Sequence, residues 1–194
     1  LIFSLYYLEI SIQSILLILL YLLLNFLYST GLKNIPLLEL AILSSGFVIR
    51  LIAGSIEISI ILSPWLIVCS GLLSLMLAVG KRRNELSFQS KRDGPFRASL
   101  KGYSISYLDH VNSMLSSALV VSYLLFCISY YSSSVLTPYI LWTAPLVIFN
   151  ILRYLQLVTI EDLGEDPTNM LINDKVSITI FLTWLILIVA IIHF

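Results

Sequence analysis

Charge is scarce in this sequence: 11% of its 194 residues are Asp, Glu, Lys or Arg, against roughly 25% in an ordinary soluble domain. Hydrophobic residues make up 59%, more than a core of this size uses, so lipid is the solvent for most of these side chains and a soluble enzyme is excluded. The formal net charge is zero, which speaks against a nucleic-acid partner. Cysteine is equally rare. Cys69 and Cys127 both sit in apolar runs, so they read as small core residues and not as a disulfide framework or a thiolate metal site; two histidines do not supply a metal site either. A Gly-rich phosphate loop, a nucleophile elbow, a zinc signature and an internal repeat are all missing. The chain opens Leu1-Ile2-Phe3-Ser4, with no initiator Met, basic n-region or small-residue cleavage site, so it is expected to be a piece of a longer protein whose preceding helix ends within 1–7.

What the sequence has instead is long apolar runs, at 11–28, 36–56, 63–80, 108–130, 137–156 and 175–193. Each approaches the ~20 residues that carry an α-helix across hydrocarbon. None alternates apolar and polar residues as a membrane β-barrel strand does, and backbone groups in lipid must be satisfied within each segment. The expectation is an all-α, polytopic transmembrane bundle of six helices preceded by the stub. Its connections alternate sides. One set holds Lys33, then Lys81, Arg82, Arg83, Lys91, Arg92, Arg97 and Lys101, then Arg153 and Lys175, while 57–62 and 131–136 hold no cation. By the positive-inside rule the cation-rich set is cytoplasmic, so a multi-pass plasma-membrane protein with cytoplasmic basic loops is expected. Of the eleven Lys and Arg, only Arg50 falls elsewhere. The connection at 81–103 is more basic than orientation requires, which leaves anion binding and a plain topology signal both open.

Polar residues within the runs narrow the reading. Glu39, Gly46, Arg50 and Glu57 fall close to one angle at about 100° per residue, a polar stripe on the second run. A charge in the bilayer interior costs roughly 2.5–3.5 kcal/mol or more, so Arg50 is predicted to face the bundle interior or a wet cavity. Glu39 stands about 16 Å away along the axis, too far to pair with it, so the partner is another helix or a ligand. Asn150, Arg153 and Gln156 share a face near the basic boundary, and Tyr103, Tyr107, His110 and Met114 form a stripe that reads as an interfacial aromatic belt. Glu161, Asp162, Glu165 and Asp166 fit no calcium loop and read as a solvated acidic segment. Asp166-Pro167 is an N-cap followed by Pro at the first helical position, which predicts a short helix running toward Asp174.

Taken in order, several stretches resemble the UbiA superfamily of intramembrane prenyltransferases, and within it the branch that joins phosphoribose to decaprenyl phosphate. They are Tyr28-Ser29-Thr30-Gly31-Leu32-Lys33 with Pro36, Gly46-Phe47-Val48-Ile49-Arg50-Leu51-Ile52-Ala53-Gly54, and Gly80-Lys81-Arg82-Arg83-Asn84-Glu85-Leu86. Further along come Arg97, Ser99-Leu100, Tyr103, Tyr107-Leu108, Ile151-Leu152-Arg153-Tyr154, Gly164-Glu165-Asp166-Pro167 and Asp174-Lys175-Val176. The likeness covers nearly the whole chain; each motif is weak singly and specific in this order and spacing. It implies a UbiA-like fold in which residues 1–194 are the C-terminal portion of a single transmembrane domain built around a cavity open to cytoplasm and lipid. The family's first acidic motif, Asn-Asp-x-x-Asp-x-x-x-Asp, holds magnesium and would precede Leu1, so residues 1–194 alone are expected to be inactive, with the magnesium ligands mainly upstream. Where the family keeps a second acidic motif, this chain reads Lys81-Arg82-Arg83-Asn84-Glu85. Cations at that place suit a lipid monophosphate acceptor and a polyphosphorylated sugar better than an isoprenoid diphosphate donor.

The reaction this resemblance implies is transfer of 5-phosphoribose from phosphoribosyl pyrophosphate to a polyprenyl (decaprenyl) phosphate in the lipid bilayer, a step toward cell-wall arabinan precursors, with magnesium as cofactor. Carried over residue by residue, Lys33, Lys81 and Arg82 would contact phosphates, and Glu85 would orient those cations or a ribose hydroxyl. Arg50, Tyr103 and Arg153 would line the cavity, and Tyr28 belongs to the same substrate-binding set. No general base is assigned, because the nucleophile is already anionic. Asp174 and Glu165 would be structural, and Lys91 and Arg92, beside the Asp93-Gly94-Pro95 turn, would be solvated. A homo-oligomer is compatible with the sequence. Two competing readings are a UbiA-type prenyltransferase acting on an aromatic acceptor such as 4-hydroxybenzoate, which the missing second acidic motif counts against, and a multipass transporter or membrane assembly subunit, which an intramembrane Arg would serve equally well.

Overall fold

The computed structural model describes residues 11–89, 98–131, 138–161 and 167–193, and every regular element in them is helical. Four long apolar helices follow one another: α1 (Ile12–Thr30), α2 (Leu38–Glu57), α3 (Pro64–Gln89) and α4 (Ile105–Tyr131). A 3-10 segment, Pro138–Thr143, leads into α5 (Ala144–Gln156), which runs on through a π turn, Leu157–Glu161. The short α6 (Pro167–Asn173), expected from Pro167, precedes the apolar α7 (Lys175–His193).

Five stretches among the described residues are long and apolar enough to cross a membrane: Ile12–Thr30, Leu38–Glu57, Pro64–Phe88, Ile105–Ser129 and Tyr139–Ile160. The chain is therefore an all-α, multi-pass membrane protein. The sixth expected span coincides with α7, Lys175–His193, whose 19 residues rise about 28 Å against ~30 Å of hydrocarbon.

Short polar side chains start these helices. Ser11 Oγ accepts from the Ser14 N–H at 3.2 Å, Ser104 Oγ from the Tyr107 N–H at 3.2 Å and Asp174 Oδ2 from the Ser177 N–H at 2.9 Å, each satisfying a first-turn donor that has no helical partner. α3 ends later than the apolar run suggests. The run stops at Gly80, but the helix continues to Gln89, because 81–88 contains neither Gly nor Pro and is rich in good helix formers. Lys81, Arg82, Arg83 and Glu85 thus stand on a helix and not on a loop.

The main core lies where α2, α3, α4 and α5 meet, around Leu40, Met76, Val79, Leu108, Leu115, Leu119, Ile151 and Tyr154. Gly80 is needed there: a Cβ would overlap Tyr154 Oη, whose hydroxyl donates to the Met76 carbonyl at 3.1 Å. A second cluster, Tyr123, Cys127, Ile140 and Ala144, packs against Trp184 of α7. Trp184 Nε1 donates to Tyr123 Oη at 2.9 Å, and the same oxygen lies 2.7 Å from Thr143 Oγ1. Both cysteines are free thiols and Cys127 is fully buried in this cluster.

Long helices joined by short connections alternate in direction, so the starts of α2 and α4 and the ends of α3 and α5 gather at one end of the bundle. This basic end carries most of the charge. At the opposite end the Ser11 N–H and hydroxyl donate to Glu57 Oε1 at 3.1 and 2.9 Å, tying the start of α1 to the end of α2.

Candidate functional site

Arg82 and Arg83 sit near the end of α3, at the basic end of the bundle, where a buried guanidinium needs a partner that water does not supply. Arg82 is 3% exposed. Its Nε lies 3.3 Å from Oε2 of Glu39 in the first turn of α2, and its Nη1 donates to Glu85 Oε2. Glu39 is wholly buried, and the Glu85 side chain keeps 23% of its surface. Nη2 makes no hydrogen bond with a described residue and is not among the fully buried orphan atoms, so it keeps some of what little surface the residue has. Arg83, also buried, donates from Nε to Asp109 Oδ1 of α4 at 3.2 Å and from Nη2 to the Thr159 carbonyl at 3.1 Å. These two neighbours on α3 therefore reach, between them, α2, α4 and the π turn after α5.

A third guanidinium follows the same rule. Arg153 grips Asp174 in bidentate fashion, Nε to Oδ2 at 3.1 Å and Nη2 to Oδ1 at 2.8 Å, while Nη1 donates to Gln156 Oε1 at 3.0 Å. Asp174 also caps α7 through Ser177. The guanidinium and the capping donors hold its carboxyl well below the usual carboxylate range. The lysines differ. Lys33, Lys81, Lys101 and Lys175 are all exposed, and none has an ion pair with a described residue.

Tyr103 fixes how the Lys33 segment meets this end. Its Oη accepts from the Leu37 N–H at 2.6 Å, its ring stacks on Tyr107 at 6.3 Å, and burial pushes its phenol above the ordinary tyrosine range. Leu37 is held at φ 64° and ψ −42°, with the Leu38 N–H donating to the Pro36 carbonyl at 2.8 Å. That is a γ-turn of the left-handed kind, strained for a branched side chain by roughly 1–3 kcal/mol. Pro36 in turn packs on Gly102, where a Cβ would overlap its ring. The 3-10 turns Leu32–Asn34 and Ala98–Gly102, which carry Lys33 and Lys101, are thereby docked on each other.

Arg50, expected to face the bundle interior or a wet cavity, is exposed among the described residues, with Nε donating to the Gly46 carbonyl at 3.0 Å and its guanidinium 5.1 Å from the Tyr21 ring centroid and 4.6 Å from that of Phe47. Two aromatic faces and a carbonyl thus meet part of its charge locally. The stripe itself mostly looks at α1: Gly46 packs on Tyr21 and Glu57 holds Ser11, while Glu39 alone turns to α3. Of the sequence-derived set, Arg82 and Glu85 stand together, with Tyr103 within electrostatic reach of Arg82 and Glu39. Lys81 and Lys33 share their end of the bundle, and Tyr28 is half-buried near the end of α1. Arg50 and Arg153 occupy separate places. Lys91, Arg92, Arg97, Asp162, Glu165 and Asp166 lie outside the described residues.

Glu39 is the residue the sequence did not assign to this cluster. Its signal was present, an acid in the first turn of one span and an arginine at the end of the next, in helices whose ends must coincide. Among the described residues no three His, Cys, Asp or Glu side chains group as a metal site, so they do not by themselves fit the magnesium that the resemblance implies.

No family model matches the chain. Curated relatives do. It is 34% identical over 168 residues to a decaprenyl-phosphate phosphoribosyltransferase of Corynebacterium glutamicum, covering 86% of this chain and 50% of that protein. The protein of the same name in Mycolicibacterium smegmatis is 35% identical over 176 residues (86% and 54%), and that in Mycobacterium tuberculosis 31% over 171 residues (85% and 54%). The chain thus spans about half the length of the curated relatives it matches.

Proposed function

We propose that this chain, related over most of its length to the decaprenyl-phosphate branch of UbiA-like proteins, is the C-terminal portion of a membrane transferase that moves 5-phosphoribose from phosphoribosyl pyrophosphate to a polyprenyl phosphate. The observation that carries the reading is the similarity to three proteins of that one name across at least 85% of the chain. The basic end supports it. A phosphate oxygen of the lipid attacks C1 of the ribose, the C1–O bond to pyrophosphate breaks, and pyrophosphate leaves with the bond's electrons. Both reactants are anions, so what the protein must supply is fixed positive charge, and no proton has to be removed. Lys81 and the Nη2 edge of Arg82 meet the pyrophosphate; Lys33, flanked by the exposed side chains of Ile35, Leu37 and Leu38, suits a phosphate that ends in a hydrocarbon tail. In this reading the basic end is cytoplasmic, the membrane is the plasma membrane, and magnesium is held mainly by residues outside 1–194.

The test is reconstitution of the complete protein in lipid with phosphoribosyl pyrophosphate and polyprenyl phosphate. Equimolar pyrophosphate and a polyprenyl phosphate carrying 5-phosphoribose are expected. Absence of that product, with prenylation of an aromatic acceptor from a polyprenyl diphosphate in its place, would refute the assignment.

A further inference from the structure

Glu39 is buried without remainder and faces an arginine that is itself 3% exposed. Its Oε2 forms an ion pair with the buried Nε at 3.3 Å, Glu85 accepts from Nη1, and Nη2, with no hydrogen bond to a described residue, is the edge that keeps surface. An arginine side chain in solution samples many rotamers, and a planar fork is useful to a phosphate only when its edge is already aimed. The carboxylates differ in kind. Glu85 is three residues from Arg82 on the same helix and partly exposed, so it moves with α3 and exchanges readily with water; Glu39 comes from α2 and is locked in the seam between the two helices. The strained Leu37 turn and its Tyr103 hydrogen bond, immediately before Glu39, fix where α2 begins and hence where that carboxylate stands.

We propose that Glu39 is a positioning residue for the phosphate-binding end: from within the α2–α3 seam it holds Arg82 so that the Nη2 edge is presented to the pyrophosphate group of the sugar donor. This rests on the reading of the function above. Glu39 touches no substrate and acts on the donor through Arg82.

The experiment uses the complete protein purified in detergent, comparing wild type, Glu39→Gln, Glu39→Asp, Arg82→Gln and the Glu39→Gln/Arg82→Gln double variant. The readouts are KM for phosphoribosyl pyrophosphate, KM for polyprenyl phosphate, and calorimetric affinity for inorganic pyrophosphate. Glu39→Gln is expected to raise the donor KM and the pyrophosphate Kd about tenfold, the loss of one well-aimed charge-assisted contact, with the lipid KM within about twofold. Glu39→Asp, which keeps the charge on a shorter stem, should fall between, and Glu39→Gln should add nothing once Arg82 is Gln. If Glu39→Gln or Arg82→Gln does not fold, the partial, donor-selective loss in Glu39→Asp decides in their place. An unchanged donor KM, equal rises in both KM values, or losses that multiply in the double variant would overturn the role. Should wild type bind pyrophosphate with this coupled pattern yet transfer no phosphoribose, the role stands and the assigned reaction fails; wild type that binds no pyrophosphate overturns both.

Discussion

The arginines and the lysines of the basic end live in different environments although they share a sign and a neighbourhood. Arg82, Arg83 and Arg153 each reach a carboxylate on another helix or beyond a connection, Glu39, Asp109 and Asp174. Lys33, Lys81, Lys101 and Lys175 reach none among the described residues. A guanidinium offers five donors in a rigid fork and is more weakly hydrated than an ammonium, so it is the cation that can be taken into a seam and used to join helices. An ammonium is a compact, strongly hydrated charge and stays at the surface, where a phosphate can displace its water. The lesson is a division of labour by solvation, in which Arg82 alone takes both parts.

The sharpest way to break that comparison is to remove a joining cation. Arg82→Ala leaves Glu39 buried and without its guanidinium, and is expected to destabilise the complete protein by about 3–5 kcal/mol, read as a fall in its detergent unfolding temperature. Replacing both partners, Glu39→Gln with Arg82→Gln, should return most of that loss. Equal stability of wild type and Arg82→Ala would mean the pair does not join α2 to α3.

Removing an exposed cation should do the reverse. Lys81→Ala is expected to leave the unfolding temperature unchanged and to lower kcat/KM by about 1.5–3 kcal/mol, on the order of ten- to a hundredfold. Lys33→Ala should resemble it, but with the larger change in the KM for polyprenyl phosphate.

A packing control separates charge from shape at the same end. Gly80→Ala places a methyl group on Tyr154 Oη, an overpacking expected to cost about 1–3 kcal/mol of stability. Tyr154→Phe in the same protein removes the obstructing oxygen and should restore part of it. No restoration would mean that this oxygen does not set the α3–α5 approach.

Arg153 and Asp174 give a pH signature that the lysines cannot give. The carboxyl is depressed when folded, so the stabilisation is fully present above the unfolded Asp value of ~3.9 and is lost as pH falls through the lower folded value. Asp174→Asn, which keeps the cap on α7, should flatten the acid limb of a stability profile, whereas Lys175→Ala should change neither limb, within about 0.5 kcal/mol.

The difference between arginines and lysines also marks how far the sequence could be read. Hydrophobic run length located every long helix, because lipid punishes an unsatisfied backbone everywhere along a span. It missed the last turns of α3, since the run ends at Gly80 while the helix goes on as a charged, paired extension to Gln89. The Lys81–Glu85 segment was recognisable as the candidate phosphate end from composition and resemblance. Its internal pairing was not, because Glu39 and Arg82 are distant in sequence and only the α2–α3 packing brings them to 3.3 Å. Arg50's place on the stripe was likewise legible, but the Tyr21 ring that meets its guanidinium depends on how α1 leans on α2.

The most direct test of the central claim is a paired measurement on one set of variants of the complete protein, unfolding temperature and phosphoribosyl-pyrophosphate KM, for Lys81→Ala against Arg83→Ala. Arg83 is buried on Asp109 and the Thr159 carbonyl, two residues beyond Lys81 on the same helix. The expected result is a raised KM at unchanged unfolding temperature for Lys81→Ala, and a lowered unfolding temperature with a KM near wild type in the protein that remains folded for Arg83→Ala. If the two variants lose stability and donor affinity in equal proportion, the basic end is one undivided charge cluster, and arginines and lysines do not divide joining from phosphate binding.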